Sequence, residues 1–370
     1  MGQNSKIEWT DHTFNPWRGC TKVSAGCANY YAETLSGRNP GTLGVWGPKG
    51  TRVVASESMW EEPLKWNRDA MGNGTIREIA GFPANRPRVF CASMADVFED
   101  WTGPMTTAQG HPLAKCRACS TVGHSSGGFP GNCKCGGGML EIATMSDVRA
   151  RLFALIDATP NLDWLLLTKR PENIAKMMPK PAFDHAGWNG TLDGYWHQMG
   201  KPRANLWLGV SCENQQAADE RIPHLLRVPA KVRFLSCEPL LGPVELGRIE
   251  LRMNGERGTE LSNRLGDWIS PLTGAFTDSP RINWVIVGGE SGPGARPMNP
   301  AWARSLRDQC QAAGVPFFMK QWGEYAEWDG SQSPSPACRS EDGRTAYVRL
   351  GKKAAGRLLD GREWNEFPAI

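Results

Sequence analysis

Six short apolar runs divide the chain, and charged or polar residues stand at the end of each run. The runs are RVFCASMAD (88–96), WLLLTKR (164–170), LWLGVSCEN (206–214), VRFLSCE (232–238), INWVIVGGE (282–290) and VPFFMKQ (315–321). Continuous apolar runs of this length are typical of strands that are buried on both faces, as in a parallel sheet. With one more strand near residues 7–14, the pattern predicts about seven strands.

Helical patterns lie between these runs. Ser146 is predicted to cap a helix that Pro160 ends, with apolar residues on one face. A second apolar stripe leads up to Gly314, a natural C-terminal cap. Because strands and helices alternate, the sequence predicts an α/β fold, a complete or partial parallel (β/α) barrel of the TIM-like kind.

Several segments interrupt this alternation. The chain is interpreted as a single (β/α) barrel domain over 1–370, with an inserted cysteine-rich segment at 104–140 and a C-terminal tail at 340–370. Residues 40–75 and 249–281 are rich in Gly, Asn and Trp and are predicted to form long loops.

The polar residues at the strand ends indicate where a functional site lies. In (β/α) barrels the active site sits at the carboxyl ends of the strands. A strand that ends in a charge can also simply reach solvent, but polar groups follow all six runs. The candidate site residues are therefore Asp96, Lys169, Arg170, Glu213, Asn214, Glu238, Gly288, Gly289, Glu290 and Lys320.

Composition and charge narrow the class of protein only a little. The chain has 370 residues, of which 40% are hydrophobic, and it contains no apolar run of about 18 residues that would span a membrane. The first residues lack the apolar core of an export signal, so a cytoplasmic protein without a membrane partner is expected. A net charge of +4 is compatible with a nucleic-acid partner but does not require one.

The inserted segment carries a pattern typical of a zinc site. Cys116 and Cys119 form a C-x2-C pair, and Cys133 and Cys135 form a C-x-C pair after thirteen residues. Four thiolates on two tight turns suit tetrahedral zinc, and four protein ligands leave no open position for catalysis. We therefore expect a structural or substrate-gripping zinc-ribbon-like insertion, with His124 as a substitute ligand and a loop of unligated cysteines as the alternative.

A second cysteine pattern lies in the stretch NPWRGCTKVSAGCANYYAE. Cys20 and Cys27 are separated by six residues, and Tyr30 stands where a Cys-x-x-Cys pair would end. Three thiolates hold a [4Fe-4S] cluster with one iron open to a cofactor, as in radical S-adenosylmethionine enzymes. This stretch offers only two thiolates. Cys91, Cys212 and Cys237 also lie near strand ends, but they are interpreted as small core residues.

The motifs resemble a known family. The segments IEWTDHTFNPWRGCTKVSAGCANYYAE, LLLTKRPEN, LGVSCEN, LSCEPLLGP, VIVGGESG, MKQWGE and GKKAAGRLLDGREW resemble the bacteriophage-associated three-cysteine-motif proteins, whose function is unknown and which are similar to radical-SAM barrels. The resemblance implies phage or prophage origin, a bacterial host cytoplasm, a [4Fe-4S] cluster and S-adenosylmethionine. Cys20 and Cys27 match the first two cysteines of the family motif, C-x6-C-x2-C, and Tyr30 replaces the third.

The resemblance and the strand-end positions together assign roles. Lys169, Arg170, Glu238 and Lys320 are candidate catalytic or substrate-contacting residues. The cofactor would contact Glu213, Asn214, Gly288, Gly289 and Glu290. The leading hypothesis is a radical-SAM-like protein that acts on nucleic acid or a nucleotide, at a site that is degenerate at Tyr30.

The alternative is a non-catalytic, zinc-containing adaptor that binds nucleic acid or protein. Tyr30 favours the adaptor. The many charges expected inside the fold favour the enzyme, because buried charges are costly for a pure scaffold. Metal-dependent hydrolysis is less favoured, since no H-E-x-x-H spacing occurs and the chain has six histidines.

Overall fold

The computed structural model describes residues 2–79, 86–124, 140–179, 202–250, 268–274, 280–328, 330, 337–340 and 342–369. The chain divides into two compact units. Unit 1 comprises Met1–Lys22 and Ala32–Trp207, and unit 2 comprises Val23–Tyr31 and Leu208–Ile370.

The described residues form nineteen strands, of which the longest, with five or six residues, all belong to the main sheet. They are β1 (Gly2–Gln3), β2 (His12–Phe14), β3 (Trp17–Arg18), β4 (Arg52–Val54), β5 (Arg88–Cys91), β6 (Met105–Thr106), β7 (Leu113–Cys116), β8 (Val122–His124), β9 (Leu140–Ile142), β10 (Asp163–Thr168), β11 (Leu206–Ser211), β12 (Val232–Cys237), β13 (Ile249–Glu250), β14 (Trp268–Ile269), β15 (Trp284–Gly288), β16 (Phe317–Gln321), β17 (Tyr325–Glu327), β18 (Cys338–Arg339) and β19 (Ala346–Arg349).

Eight α-helices accompany these strands in the part of the chain that the structure describes. They are α1 (Tyr31–Arg38), α2 (Pro40–Leu43), α3 (Glu57–Ile79), α4 (Met145–Asp157), α5 (Ile174–Met177), α6 (Gln215–Leu226), α7 (Pro300–Ala313) and α8 (Lys352–Ala355), and two 3₁₀ turns cover Ala25–Cys27 and Pro171–Asn173. No helix of the described part of the chain is both long and apolar enough to cross a bilayer.

The main sheet has the strand order β1-β2-β5-β10-β11-β12-β15-β16. Seven of these strands run parallel, and β1 pairs antiparallel with β2. All six apolar runs of the sequence are strands of this sheet, and β11, β12 and β15 are buried along their whole length. The mixed α/β class with a parallel sheet is therefore confirmed, while closure into a complete barrel and the zinc-ribbon-like insertion stay predictions.

The helix caps follow local side-chain chemistry. The predicted cap at Ser146 is wrong: Thr144 caps α4, because its side chain accepts from the Asp147 N–H and the Asp147 carboxylate accepts from the Thr144 N–H. Gly314 ends α7 in the left-handed region, at φ 65°, as the sequence predicted.

The prediction of a loop over 40–75 is wrong for its second half. Helix α3 covers residues 57–79 and buries Trp60 and Trp66, with the Trp60 ring 5.1 Å from Phe14 and the Trp66 ring stacked 4.4 Å from His12. Over residues 57–72, whose side chains are described, the buried face of this helix consists of Trp60, Pro63 and Trp66 among mostly polar and charged residues. Such a sparse face gives too weak a period to be recognised in the sequence.

The core of unit 2 includes residues near the end of the chain. The Trp284 Nε1 donates to the Glu366 carbonyl at 2.8 Å, and the Trp284 ring lies 5.2 Å from the Phe367 ring. The N–H of Met319, in β16, donates to the Trp364 carbonyl at 3.0 Å. Residues 364–367 of the predicted tail (340–370) therefore pack on β15 and on β16, the last strand of the main sheet.

Candidate functional site

Unit 2 brings predicted site residues together at the ends of three neighbouring strands. Glu238 directly follows β12, Gly288 ends β15, and Lys320 is the second-last residue of β16. The Lys320 Nζ donates to both carboxylate oxygens of Glu238, at 2.5 and 2.8 Å. The two side chains are 14% and 19% exposed, so the ion pair is largely buried but still reaches solvent.

A glycine makes room for this ion pair. A Cβ at Gly288 would lie 3.2 Å from the carboxyl carbon of Glu238, closer than ordinary van der Waals contact. A Cβ at Gly289 would lie 1.9 Å from the Trp322 carbonyl oxygen. The glycines that the sequence predicted as cofactor contacts thus let protein groups approach the strand. Contact with a cofactor stays a prediction.

Gln321 belongs to the same cluster and was missed in the sequence. Its Nε2 donates to Glu238 Oε1 at 3.2 Å and to the Gly289 carbonyl at 3.1 Å. The residue is only 4% exposed, and its Oε1 is fully buried. This oxygen has no hydrogen-bond partner within the described residues. A buried acceptor without a donor is costly, so this atom indicates a place for a donor group from a ligand or water.

Glu290 is held within a second cluster of unit 2. Arg296 donates to it from Nε at 2.9 Å and from Nη2 at 2.7 Å, and Asn29 donates to it at 3.1 Å. Burial alone would raise the pKa of Glu290, but the hydrogen bonds from Arg296 and Asn29 lower it below its ordinary value. Arg296 also donates to the Ala25 carbonyl at 2.9 Å. Glu290 therefore helps to fix the segment that contains Cys27.

Glu213 and Asn214 also support local structure. Glu213 accepts from Arg221 at 2.7 Å, and a Cβ at Gly26 would lie 3.1 Å from the Glu213 carboxyl carbon. Asn214 caps α6 by accepting from the Ala217 N–H at 2.9 Å. In unit 2, Glu213 and Glu290 thus both border the segment 25–29. Direct cofactor binding by these residues stays a prediction.

Unit 1 contains a separate network of buried charges at the ends of β5 and β10. Arg170 donates to Asp96 Oδ2 at 3.0 Å, and Thr168 donates to Asp96 Oδ1 at 2.7 Å. Arg52 makes two 2.8 Å hydrogen bonds to Glu99 with a guanidinium that is fully buried. The sequence indicated Asp96 and Arg170, but Arg52 and Glu99 lie outside the strand-end pattern.

This network holds the backbone next to Cys20. The Thr21 N–H donates to Glu99 at 2.9 Å, and its carbonyl accepts from Arg170 at 2.6 Å. The Cys20 Sγ lies 3.6 Å from Arg170 Nη1. Burial raises the pKa of the Cys20 thiol to about 12. The negative charges of Asp96 and Glu99 also raise this pKa, and the positive charge of Arg170 lowers it. The backbone N–H of Lys169 donates a hydrogen bond to Asp96 Oδ2 at 3.1 Å.

The residues present do not fit a three-thiolate cluster. The loop offers the thiolates of Cys20 and Cys27 only, and Tyr30, at the third position of the motif, packs its ring 5.2 Å from the ring of Tyr31. Within the described ranges, no group of three or more His, Cys, Asp or Glu side chains is placed to hold a metal ion. A phenol with a pKa near 10 is also a poor substitute for a thiolate.

The inserted segment is described only in part. Cys116 ends β7 and is buried, Cys119 is exposed in the tight turn that leads to β8, and its thiol lies 3.1 Å from Thr121 Oγ1. Cys133 and Cys135 lie outside the described residues. The first cysteine pair thus occupies a turn between antiparallel strands, and the zinc ligand set stays a prediction.

Comparison with known proteins shows the family. A family described as "Protein of unknown function (DUF5131)" matches residues 4–107 and 139–368, so the chain belongs to this family. The match leaves out residues 108–138, which contain all four cysteines of the predicted zinc pattern. No curated protein and no solved structure matches the chain. Phage association and the three-cysteine motif stay predictions.

Proposed function

We propose that this member of the DUF5131 family binds a ligand of the S-adenosylmethionine class at Glu238, Lys320 and Gln321, and acts on nucleic acid or a nucleotide. One observation carries the proposal: the largely buried Glu238–Lys320 ion pair lies beside the unpartnered Gln321 Oε1. These three groups form a charged pair and a free acceptor on two strand ends of unit 2.

An α-amino-acid group matches this set of groups. Its ammonium is a donor for Glu238 and for the free Gln321 Oε1, and its carboxylate is a partner for Lys320. A zwitterion supplies one charge of each sign, so both members of the ion pair keep a partner when it binds. S-adenosylmethionine carries such a group on a nucleoside, and it is the cofactor that the sequence resemblance implies.

Cluster chemistry is not part of the proposal for this chain. A bound [4Fe-4S] cluster would supply reductive cleavage of S-adenosylmethionine, but the loop offers two thiolates and Tyr30. We therefore propose ligand binding on a radical-SAM-like scaffold of phage origin, with zinc held by Cys116, Cys119, Cys133 and Cys135.

The adaptor hypothesis remains the second candidate, because two observations favour it. Tyr30 removes a ligand that the family resemblance implies, and the charges of Glu213 and Glu290 are already neutralised by Arg221 and Arg296. An adaptor would keep these ion pairs for structure alone. It predicts no affinity for S-adenosylmethionine, so one binding measurement separates the two candidates.

The test is calorimetric titration of the full chain with S-adenosylmethionine, methionine and adenosine. We expect S-adenosylmethionine to bind, and both Glu238→Gln and Lys320→Met to weaken binding at least tenfold, which corresponds to about 1.4 kcal/mol. Lys176→Met is the matched control, because Lys176 forms an exposed ion pair with Asp100. Absence of binding would reject the proposal in favour of the adaptor. An equal loss in the control would show that the ligand does not bind at Glu238 and Lys320, which would also reject the proposed site.

A further inference from the structure

One buried arginine of unit 1 has no carboxylate to balance its charge. Arg18, in β3, is 5% exposed. Its Nη1 donates to the Thr42 carbonyl at 3.4 Å, and its Nη2 lies 3.2 Å from the Met59 sulfur. Within the described residues its side chain has no other hydrogen-bond partner, and neither of these two is an acid.

Both contacts are weak for a buried guanidinium. A hydrogen bond from N–H to oxygen normally spans about 2.7–3.2 Å, and a thioether is a weak acceptor. Burial lowers the pKa of Arg18 below its ordinary value, with no carboxylate of the described residues to offset the effect. A buried cation in this state destabilises the folded chain.

The other buried arginines show what Arg18 lacks. Six arginines are buried in the part of the chain that the structure describes: Arg18, Arg52, Arg149, Arg170, Arg221 and Arg233. Each of the other five donates at least one hydrogen bond of 3.0 Å or less to a carboxylate or a backbone carbonyl. Arg18 therefore departs from the pattern that this chain otherwise follows.

The helix that contacts the Arg18 Nη1 is loosely packed. Thr42 belongs to α2, and none of the four residues of this helix is buried. Leu35 and Val45, which precede and follow α2 in the chain, are 39% and 52% exposed. A segment with so few buried contacts opens at a low free-energy cost, so a small solute can reach Arg18.

We infer that Arg18 binds a small oxyanion of the phosphate class between α2 and α3 of unit 1. The planar fork of a guanidinium matches two phosphate oxygens, and such bidentate pairs are among the strong hydrogen-bonded contacts of proteins. The anion would supply both the counter-charge and the short acceptor contacts that Arg18 lacks.

The burial of Arg18 limits the form of this anion. A side chain that is 5% exposed is more accessible to a free phosphate, or to the terminal phosphate of a nucleotide, than to the continuous backbone of a nucleic acid. The inference goes beyond the proposed ligand site, which lies in unit 2 and shares no residue with this one.

The test is calorimetric titration of the full chain with inorganic phosphate, adenosine monophosphate and acetate. We expect phosphate to bind, and Arg18→Met to weaken its binding at least about tenfold, because the variant removes both the charge and the fork. Binding of either phosphate compound would support the inference, and the ratio of the two affinities tells a free from a terminal phosphate. Tighter binding of acetate, or no binding of either phosphate compound, would overturn it.

Thermal unfolding gives an independent readout. Without phosphate, Arg18→Met should unfold at the temperature of the natural chain or above it, because an apolar side chain replaces an uncompensated buried charge. Phosphate should then stabilise the natural chain more than the variant, which separates binding from the general stabilising effect of phosphate salts. A variant that is less stable, yet binds phosphate as the natural chain does, would give Arg18 a structural role and contradict the inference.

Arg68→Met is the matched control, because it removes the same side chain from an exposed position of α3. It should leave the affinity for phosphate unchanged, and an equal loss there would reduce the effect to overall charge and refute the site. If Arg18→Met does not fold, Arg18→Lys decides: it keeps the charge without the fork, and unchanged phosphate affinity would refute the site. Titration of Arg18→Met with S-adenosylmethionine should match that of the natural chain, so failure of one proposal is separable from failure of the other.

Discussion

At the scale of single residues, Tyr30 decides whether the amino-terminal loop holds iron. Two thiolates leave a [4Fe-4S] cluster short of one ligand, so the natural chain should incorporate little iron. We expect Tyr30→Cys to raise iron and sulfide toward about four each per chain after anaerobic reconstitution. Visible absorbance that dithionite bleaches should appear with them.

Tyr31→Cys is the matched control for this change. It adds the same thiol one residue away from the motif position, and should gain little iron. A complete cluster in the natural chain would show that another residue supplies the third ligand. Equal iron in the Tyr30→Cys and Tyr31→Cys variants would show that the loop has no radical-SAM-like geometry.

Asp163 predicts a dependence of stability on pH. Its side chain is 1% exposed in unit 1, with Arg86 Nη1 3.5 Å away, and burial raises the pKa of Asp163 from 3.8 to about 6. The folded state therefore holds this proton more tightly than the unfolded state does. Its contribution to stability is full below about pH 4 and is lost as the pH rises through about 6.

Asp163→Asn should remove this dependence. At about pH 8 the variant should unfold several degrees above the natural chain, from a gain of up to about 3 kcal/mol. At about pH 4 the two should differ little. Thermal unfolding followed by circular dichroism measures this, with Asp219→Asn on the exposed face of α6 as control. A gain that is equal at both pH values would contradict the role assigned to ionisation.

Individual site residues could be predicted from the sequence better than the residues with which they form hydrogen bonds and ion pairs. Asp96, Glu238 and Lys320 follow apolar runs, which marks them as strand-end residues. Their network member Arg52 carries no such mark, since the pair Arg52–Glu99 joins residues 47 positions apart. Gln321 does end the run VPFFMKQ, but only the fold shows that its side chain reaches Glu238. Partner choice depends on tertiary packing, which spacing along one chain does not encode.

At the scale of elements, the turn between β7 and β8 gives the zinc prediction a local test. Cys119 is exposed in this turn, so Cys119→Ser should leave the strands intact while removing one thiolate of four. We expect about one zinc per natural chain and a clear loss in the variant, measured by non-denaturing mass spectrometry.

Cys338→Ser, at the start of β18, is the control for this measurement. It should keep the full zinc content, because Cys338 lies outside the predicted ligand set. Zinc content that is unchanged in Cys119→Ser would remove this residue from the site. A natural chain without zinc would favour unligated cysteines.

The main strands and the capped helix α7 could be predicted because each has one strong signal, either a buried run or a helical stripe ended by glycine. The three-stranded sheets β3-β4-β6 and β17-β19-β18 could not. Their strands have two to four residues, too few to show an alternation. Pairing with distant segments, rather than local preference, fixes these elements.

At the scale of the whole molecule, the alternation of strands and helices was sufficient for the fold class. The division into two units could not be predicted from the sequence, because the parallel strands of both units are formed by the same kind of apolar run. The segment 23–31 shows the reason most clearly. It belongs to unit 2 although its neighbours on both sides in the chain belong to unit 1.

This assignment of residues 23–31 has a consequence for synthesis on the ribosome. The loop with Cys27 emerges early, but its partners Glu213, Glu290 and Arg296 follow about 190 to 270 residues later, which takes roughly 10 to 50 seconds at bacterial and eukaryotic elongation rates. During that interval the loop lacks the groups that hold it, and chaperones can bind it as an unfolded segment. The newly made chain thus passes through a period in which the segment around Cys27 lacks the contacts that hold it in the folded protein.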